Sequence, residues 1–214
     1  MSVCTCPVGT ALPAVPNSSC PQDFGQIQKI AFQRVFKSGT TKNSFTTAEA
    51  ITLLASWTAR LSASEGETAG TKVVISPYVE APTSDGGDAI TFGGGNDTPG
   101  GIVKTIGRNP VTMTFELRQM TQDIISALKR LSCENVGVYL FNGDGQIMAL
   151  KDESVETTFY PIPIKNLFVS DLKLNGLDTP DSNTLSFSFE PNWSDNAAIV
   201  TPTDFNPLTD LANS

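Results

Sequence analysis

The sequence predicts a mainly β (α+β) protein: an antiparallel β-sandwich or open barrel with one or two flanking helices and extended terminal arms. Three observations carry this expectation. Apolar and polar residues alternate in several segments, most cleanly in 109–120 and 183–193. Clusters of Gly, Asn, Asp and Pro punctuate those segments. Only 46–62 and 121–132 carry apolar residues at helical spacing. Strands in runs with few helices define a layered β architecture rather than a wound α/β one.

Residues 1–25 hold four prolines and little periodicity, so they read as an extended N-terminal arm. A core domain is expected over 26–193, and a polar C-terminal arm over 194–214. Strands are predicted at 26–36 and at 72–82, where Pro77 marks an edge or bulge. Between them, Thr46 and Glu49 have capping-box spacing, and Ala50, Leu53, Leu54, Trp57 and Leu61 form a stripe. A helix over 46–62 follows, packing on its own core in preference to a partner.

The stretch 83–101 contains seven glycines and reads as a long loop or flexible hairpin, with Ala89–Phe92 as its short strand. It lacks a G-K-[ST] signature, and flanking aspartates oppose an anion, so it does not read as a phosphate cradle. A loop of that length in a compact domain usually has a job. In 109–120, Val111, Met113, Phe115 and Leu117 point inward. Helix 121–132 has Asp123 in its first turn and Lys129 and Arg130 in its last, matching the helix dipole. Strands are expected at 135–141, 146–151, within 157–177, and at 183–193, where Leu185, Phe187 and Phe189 alternate with serines.

Composition narrows function. The net charge is −8 and no basic patch stands out, which disfavours recognition of nucleic-acid phosphates. The chain has no histidine, so the commonest general base and zinc ligand are missing, and with them the usual nucleophile pairs. Carboxylate pairs such as Asp152/Glu153 have no nucleophile or oxyanion donor beside them in sequence. The expectation is a non-enzymatic protein without a cofactor or metal. Cys4, Cys6, Cys20 and Cys133 lack zinc-knuckle spacing and read as free thiols or an arm-pinning disulfide. No apolar run is long enough for a membrane span, and no targeting segment is evident.

The run Asn142-Gly143-Asp144-Gly145-Gln146-Ile147 resembles the middle of a calcium loop. With Gly145 at position 6, the two essential acidic positions fall on Leu140 and Lys151, so the pattern fails. Asn-Gly and Asp-Gly between alternating strands fit a hairpin turn instead.

The order strand, helix, strand, tight hairpin and long strands, carried by "NPVTMTFELRQMTQDIISALKRLSCENVGVYLFNGDGQIMAL" (109–150), resembles the tail tube (major tail) proteins of tailed bacteriophages and related injection machines. The resemblance spans about residues 72–193 and is one of pattern and composition. It implies a virion structural protein, built in the bacterial host cytoplasm, that self-assembles into rings, usually hexameric. The rings stack into a tube through which DNA passes non-specifically during ejection. It further implies a homo-oligomer that also contacts other virion tail proteins. Helix 46–62 departs from the family's simplest one-helix pattern. The expected contacts between subunits and rings are Asp85, Asp88, Phe92, Asn96 and Asp97 in the Gly-rich loop. To these are added Cys4, Cys6 and Cys20 in the N-terminal arm, and Phe205 and Leu208 in the C-terminal arm. Other virion roles (head–tail connector, tail terminator, capsid decoration) fit the same features. A carbohydrate-binding β module, with Trp57, Trp193 and Tyr160 as stacking residues, is the reading from a different class.

Overall fold

A computed structural model describes residues 23–64 and 66–213. Ile27–Arg34 (β1), Phe36–Ser38 (β2) and Thr41–Lys42 (β3) precede the helix Leu54–Leu61 (α1). Val73–Ile75 (β4), Glu80–Gly86 (β5), Ala89–Gly93 (β6), Val103–Arg108 (β7) and Val111–Arg118 (β8) follow, then the helix Gln122–Leu131 (α2). The C-terminal half adds Val136–Asn142 (β9), Ile147–Lys151 (β10), Phe159–Tyr160 (β11), Ile162–Val169 (β12), Ser182–Phe189 (β13) and Ala197–Val200 (β14). The fold is mostly β, antiparallel and sandwich-like, as expected.

β9 organises the molecule. One edge pairs with β1 along most of its length, while the other is shared between β10 and the start of β12. β12 then leaves that layer: Ile162 and Pro163 pair with β9, whereas Ile164–Val169 pair with β13, which pairs with β8 and β8 with β5. One strand thus belongs to both layers and turns the corner between them. Gly137 permits the crossing, because a Cβ there would sit 2.9 Å from the Ile162 carbonyl oxygen and from Pro161 Cβ.

Both faces of β9 are buried, so its apolar run is nearly continuous rather than alternating. Val136, Val138 and Leu140 face the sandwich interior with Phe115, Leu117, Leu185, Phe187 and Phe189, and α2 adds Ile125 and Leu128. Tyr139 and Phe141 face a second core with Phe45, Ile51, Trp57, Leu61, Ile147, Leu208 and Leu211. Trp57 is fully buried and its ring meets Phe45, Tyr139 and Phe141, and Leu61 is buried with it, so this part of the predicted stripe is core, whereas Leu53 is exposed.

Helix 46–62 is shorter than predicted. Thr46 and Glu49 make no capping box: the Thr46 N–H donates to the Glu49 carbonyl, and the Glu49 carboxylate accepts from Arg60. The helix begins at Leu54, whose N–H donates to Asp204 Oδ1 at 2.8 Å. The capping oxygen therefore comes from the tail, 150 residues away. The predicted strand 72–82 is two. It breaks at Ser76–Val79, where Ser76 Oγ accepts the Ile30 N–H and Val79 N–H donates to Gln28, passing the chain from β1's edge towards β8.

The C-terminal stretch lies along its own chain instead of extending from it. β14 pairs with β10, and Leu208 and Leu211 are buried in the second core. Asn213 pairs its side-chain amide with both backbone groups of Ile75, occupying the β4 edge as a strand would.

Candidate functional site

The Gly-rich stretch is a β-hairpin. Among the described residues β6 and β7 pair only with each other and form a separate two-stranded ribbon beyond β5. The Asn109 N–H donates to the Asp88 carbonyl, so the two chains meet at the ribbon's root. Thr98 pins the tip: its hydroxyl donates to the Ile102 carbonyl at 2.6 Å and accepts the Gly94 N–H. Arg108 steadies the base through a 2.8 Å bond to Asn192 Oδ1.

The ribbon's outward chemistry is apolar. Ile90, Phe92, Ile102, Val103 and Ile106 are all exposed, four of them at 57–60%. Alternation puts Ile90 and Phe92 on one face, and pairing puts Val103, opposite Gly93, on the other. A two-stranded ribbon is marginal in water by itself. This one offers large apolar side chains on both faces, and among the described residues no layer covers them, a pattern that marks contact surfaces.

Of the loop residues expected at an interface, Asp88, Phe92, Asn96 and Asp97 lie on this ribbon or its root, and all are exposed. Asp85 stands apart, in β5 opposite Thr112, and its carboxylate accepts the neighbouring Gly86 N–H. Leu208 is buried in its own chain's second core, and Phe205 is half-buried, 6.5 Å from Trp57 ring to ring. Both side chains thus belong to a tail that reads as a polar arm, yet they pack on their own chain. Cys4, Cys6 and Cys20 lie outside the described residues. Sequence reasoning passed over Ile102, Val103 and Ile106, because the loop was ended at 101 and the next strand begun at 109. The apolar spacing in "IVKTIGR" was the available signal.

A second surface lies at the other end of β5. Lys29, Tyr78, Met120, Ile124, Ala127 and Leu211 line an apolar groove of about 470 Å³ between β4 and α2. Lys29 Nζ donates to the Leu208 carbonyl at 2.6 Å and stands over the Tyr78 ring. Burial lowers its pKa from the usual lysine value.

Two of the three candidate stacking aromatics meet. Tyr160 and Trp193 line one cleft with Lys42, Asp152, Glu190 and Asn196. Trp193 stacks on Phe189 at 4.3 Å, and Tyr160 donates to Asp152 Oδ2 at 2.8 Å. That bond, with the Ser154 and Val155 N–H groups, holds the Asp152 carboxyl below its usual pKa and raises that of the Tyr160 hydroxyl. Trp57 is not part of this cleft.

The Asn142–Gln146 turn is held by one side chain. Asn142 Oδ1 accepts the N–H groups of Asp144 and Gln146, and Nδ2 donates to the Phe24 carbonyl. Of the two glycines only Gly145 is left-handed, at φ 75°. The turn is thus a three-residue loop closed by the Gly145 N–H to the Asn142 carbonyl, with Gly145 as its bulge, not a two-residue Asn-Gly turn. The Asn142 oxygen that would sit on a cation is spent on the backbone. Among the described residues no cluster of three or more Asp, Glu, Cys or His stands ready for a metal.

These features define a sandwich-like β chain with an exposed apolar ribbon at one end and an apolar groove at the other. The chain matches no protein-family model and no curated protein sequence.

Proposed function

We propose that this chain is a non-enzymatic virion structural protein whose copies self-assemble into rings that stack as a phage tail tube. The observation that carries the reading is the β6–β7 ribbon. Five large apolar side chains on a two-stranded element have no stable home in water, and packing against another copy supplies one. The free outer edges of such a sheet are satisfied in the same way when strands join between copies. Heterologous contacts of this kind close into rings or run into filaments. The chain's charge of −8 fits a conduit through which DNA passes without adhering.

The test is electron microscopy and sedimentation of the intact protein beside a variant in which residues 89–108 are replaced by a short Gly-Ser turn. The root bond between Asp88 and Asn109 makes that excision compatible with a folded core. Wild-type rings or tubes, and a folded monomer from the variant, are expected. A wild-type protein that stays monomeric at high concentration, or a variant that still polymerises, would overturn the reading. Rings that never stack would instead favour a connector, terminator or decoration protein.

The Tyr160–Trp193 cleft favours a second reading, saccharide binding by aromatic stacking with carboxylate and amide partners. Glycan binding abolished by Trp193→Ala, in a chain that does not assemble, would support it over the first.

A further inference from the structure

We propose that the apolar groove between β4 and α2 is the socket for the β6–β7 ribbon of a second copy, with Asp88 of the ribbon over Lys29 of the groove. The proposal rests on the self-assembly reading and goes beyond it by naming both halves of the contact. It stands on complementary chemistry. Among the described residues Lys29 has no carboxylate partner, and its ammonium is held at an apolar wall by the Leu208 carbonyl and the Tyr78 ring. A cation so placed favours an incoming anion set beside apolar side chains.

The ribbon carries that combination. Ile90 and Phe92 alternate in β6 and share a face, and Asp88 stands at its root, where its carbonyl accepts the Asn109 N–H. Asp88 is exposed and has no ion-pair partner among the described residues. Lys104 stands opposite Phe92 at the far end of the same face. The two apolar side chains thus lie between Asp88 at the root and Lys104 opposite Phe92. With Asp88 on Lys29, Ile90 and Phe92 lie against Tyr78, Met120 and Ile124 of the groove.

Topology makes the contact head-to-tail. Tyr78 lies just before β5 and the ribbon begins just after it, so socket and plug hang from opposite ends of a seven-residue strand. At about 3.3 Å per residue that separates them by roughly 23 Å. A plug at one end and a socket at the other repeat without a symmetry axis between the two surfaces, a heterologous contact that closes into a ring or runs on as a stack.

Two measurements test the pairing. In the first, Lys29→Glu and Asp88→Lys are made singly and together, and the critical concentration for assembly is read by sedimentation. Each single reversal is expected to raise it about tenfold, and the pair to restore most of the loss. In the second, p-benzoylphenylalanine replaces the exposed Ile124 in otherwise unaltered protein, and irradiated assemblies are mapped by mass spectrometry. Cross-links are expected on the peptide spanning 88–109 of another copy. This arm does not depend on the Lys29 variant folding. If Phe92→Ser abolishes assembly while the cross-links fall elsewhere, the socket assignment fails and the self-assembly reading stands. A wild-type protein that does not associate overturns both.

Discussion

Leu211→Ala separates a tail that belongs to its own core from a tail lent to a neighbour. Leu211 is 1% exposed and packs in the second core, so truncation leaves a cavity among large side chains. Leu→Ala at such sites costs about 3 kcal/mol. Asp204→Ala removes the long-range cap of α1, with a cost of about 1 kcal/mol. Urea unfolding of dilute monomer, followed by circular dichroism and tryptophan fluorescence, reads both. With a urea slope of about 1–3 kcal/mol per molar, Leu211→Ala lowers the midpoint by about 1 M or more. The two substitutions loosen the same segment, so the double variant should cost less than the sum. A Leu211→Ala effect below about 0.5 kcal/mol in the monomer, emerging only as copies associate, would refute the reasoning. It would return the tail to the role of an arm.

Phe92→Ser, at an exposed site, should leave monomer stability within about 0.5 kcal/mol of wild type while abolishing assembly, as measured by urea midpoint and sedimentation in parallel. Asn142→Ala strands the N–H groups of Asp144 and Gln146 and should cost about 2–3 kcal/mol in chemical denaturation. Gly145→Ala forces a side chain into a left-handed residue beside Asn206 and should cost about 1 kcal/mol in the same assay. The carboxyls of Glu134, Asp152, Asp171 and Asp210 have pKa values lowered in the folded chain, chiefly by hydrogen bonds from Arg34, Tyr160, Lys129 and the Asn206 N–H respectively. Groups depressed in this way stabilise the fold above their unfolded pKa. They lose that contribution as pH falls through the folded value, so Tm should decline below about pH 4.

The sequence exposed the elements whose signal is local. Alternation in Val111–Leu117 and Leu185–Phe189 identifies inward faces, because one side of each strand meets the core and the other does not. The Asn142–Gly145 turn could be found because its side chain bonds its own backbone. What stayed hidden depends on distant partners. The start of α1 is fixed by Asp204, and no window around residue 46 or 54 contains it. The tail looked polar because its apolar residues are sparse, yet Leu208 and Leu211 each fill a place in the second core. Of the exposed ribbon, Asp88, Phe92 and Asp97 were legible from the Gly-rich punctuation. The partner strand Val103–Arg108 was harder to see, since its bulge at the Ile90/Thr91 register breaks strict alternation and leaves only the Ile102, Val103 and Ile106 spacing as a signal. The groove is invisible to any sequence window, because it is assembled from β1, β4, α2 and the tail.

The two cores explain why the ribbon's apolar side chains stand out. β9 is covered on both faces, so one strand serves the sandwich interior and the layer under α1 and the tail. A chain that is only 39% hydrophobic fills both cores by spending nearly every large side chain of β1, β8, β9 and β13 on them. Against that economy, five large apolar residues on β6, β7 and the turn between them stand exposed outside both cores of the described residues. Each exposes surface whose removal from water is worth about 25 cal/mol per Å². A sequence shaped by monomer stability alone would place threonine, lysine or glutamate there, as edge ribbons elsewhere do to avoid unwanted pairing. Retaining isoleucine, phenylalanine and valine makes physical sense when the unwanted pairing is the wanted one. On the self-assembly proposed above, the ribbon's stability comes from the copy it meets, so ordering of the surface and growth of the assembly become a single step.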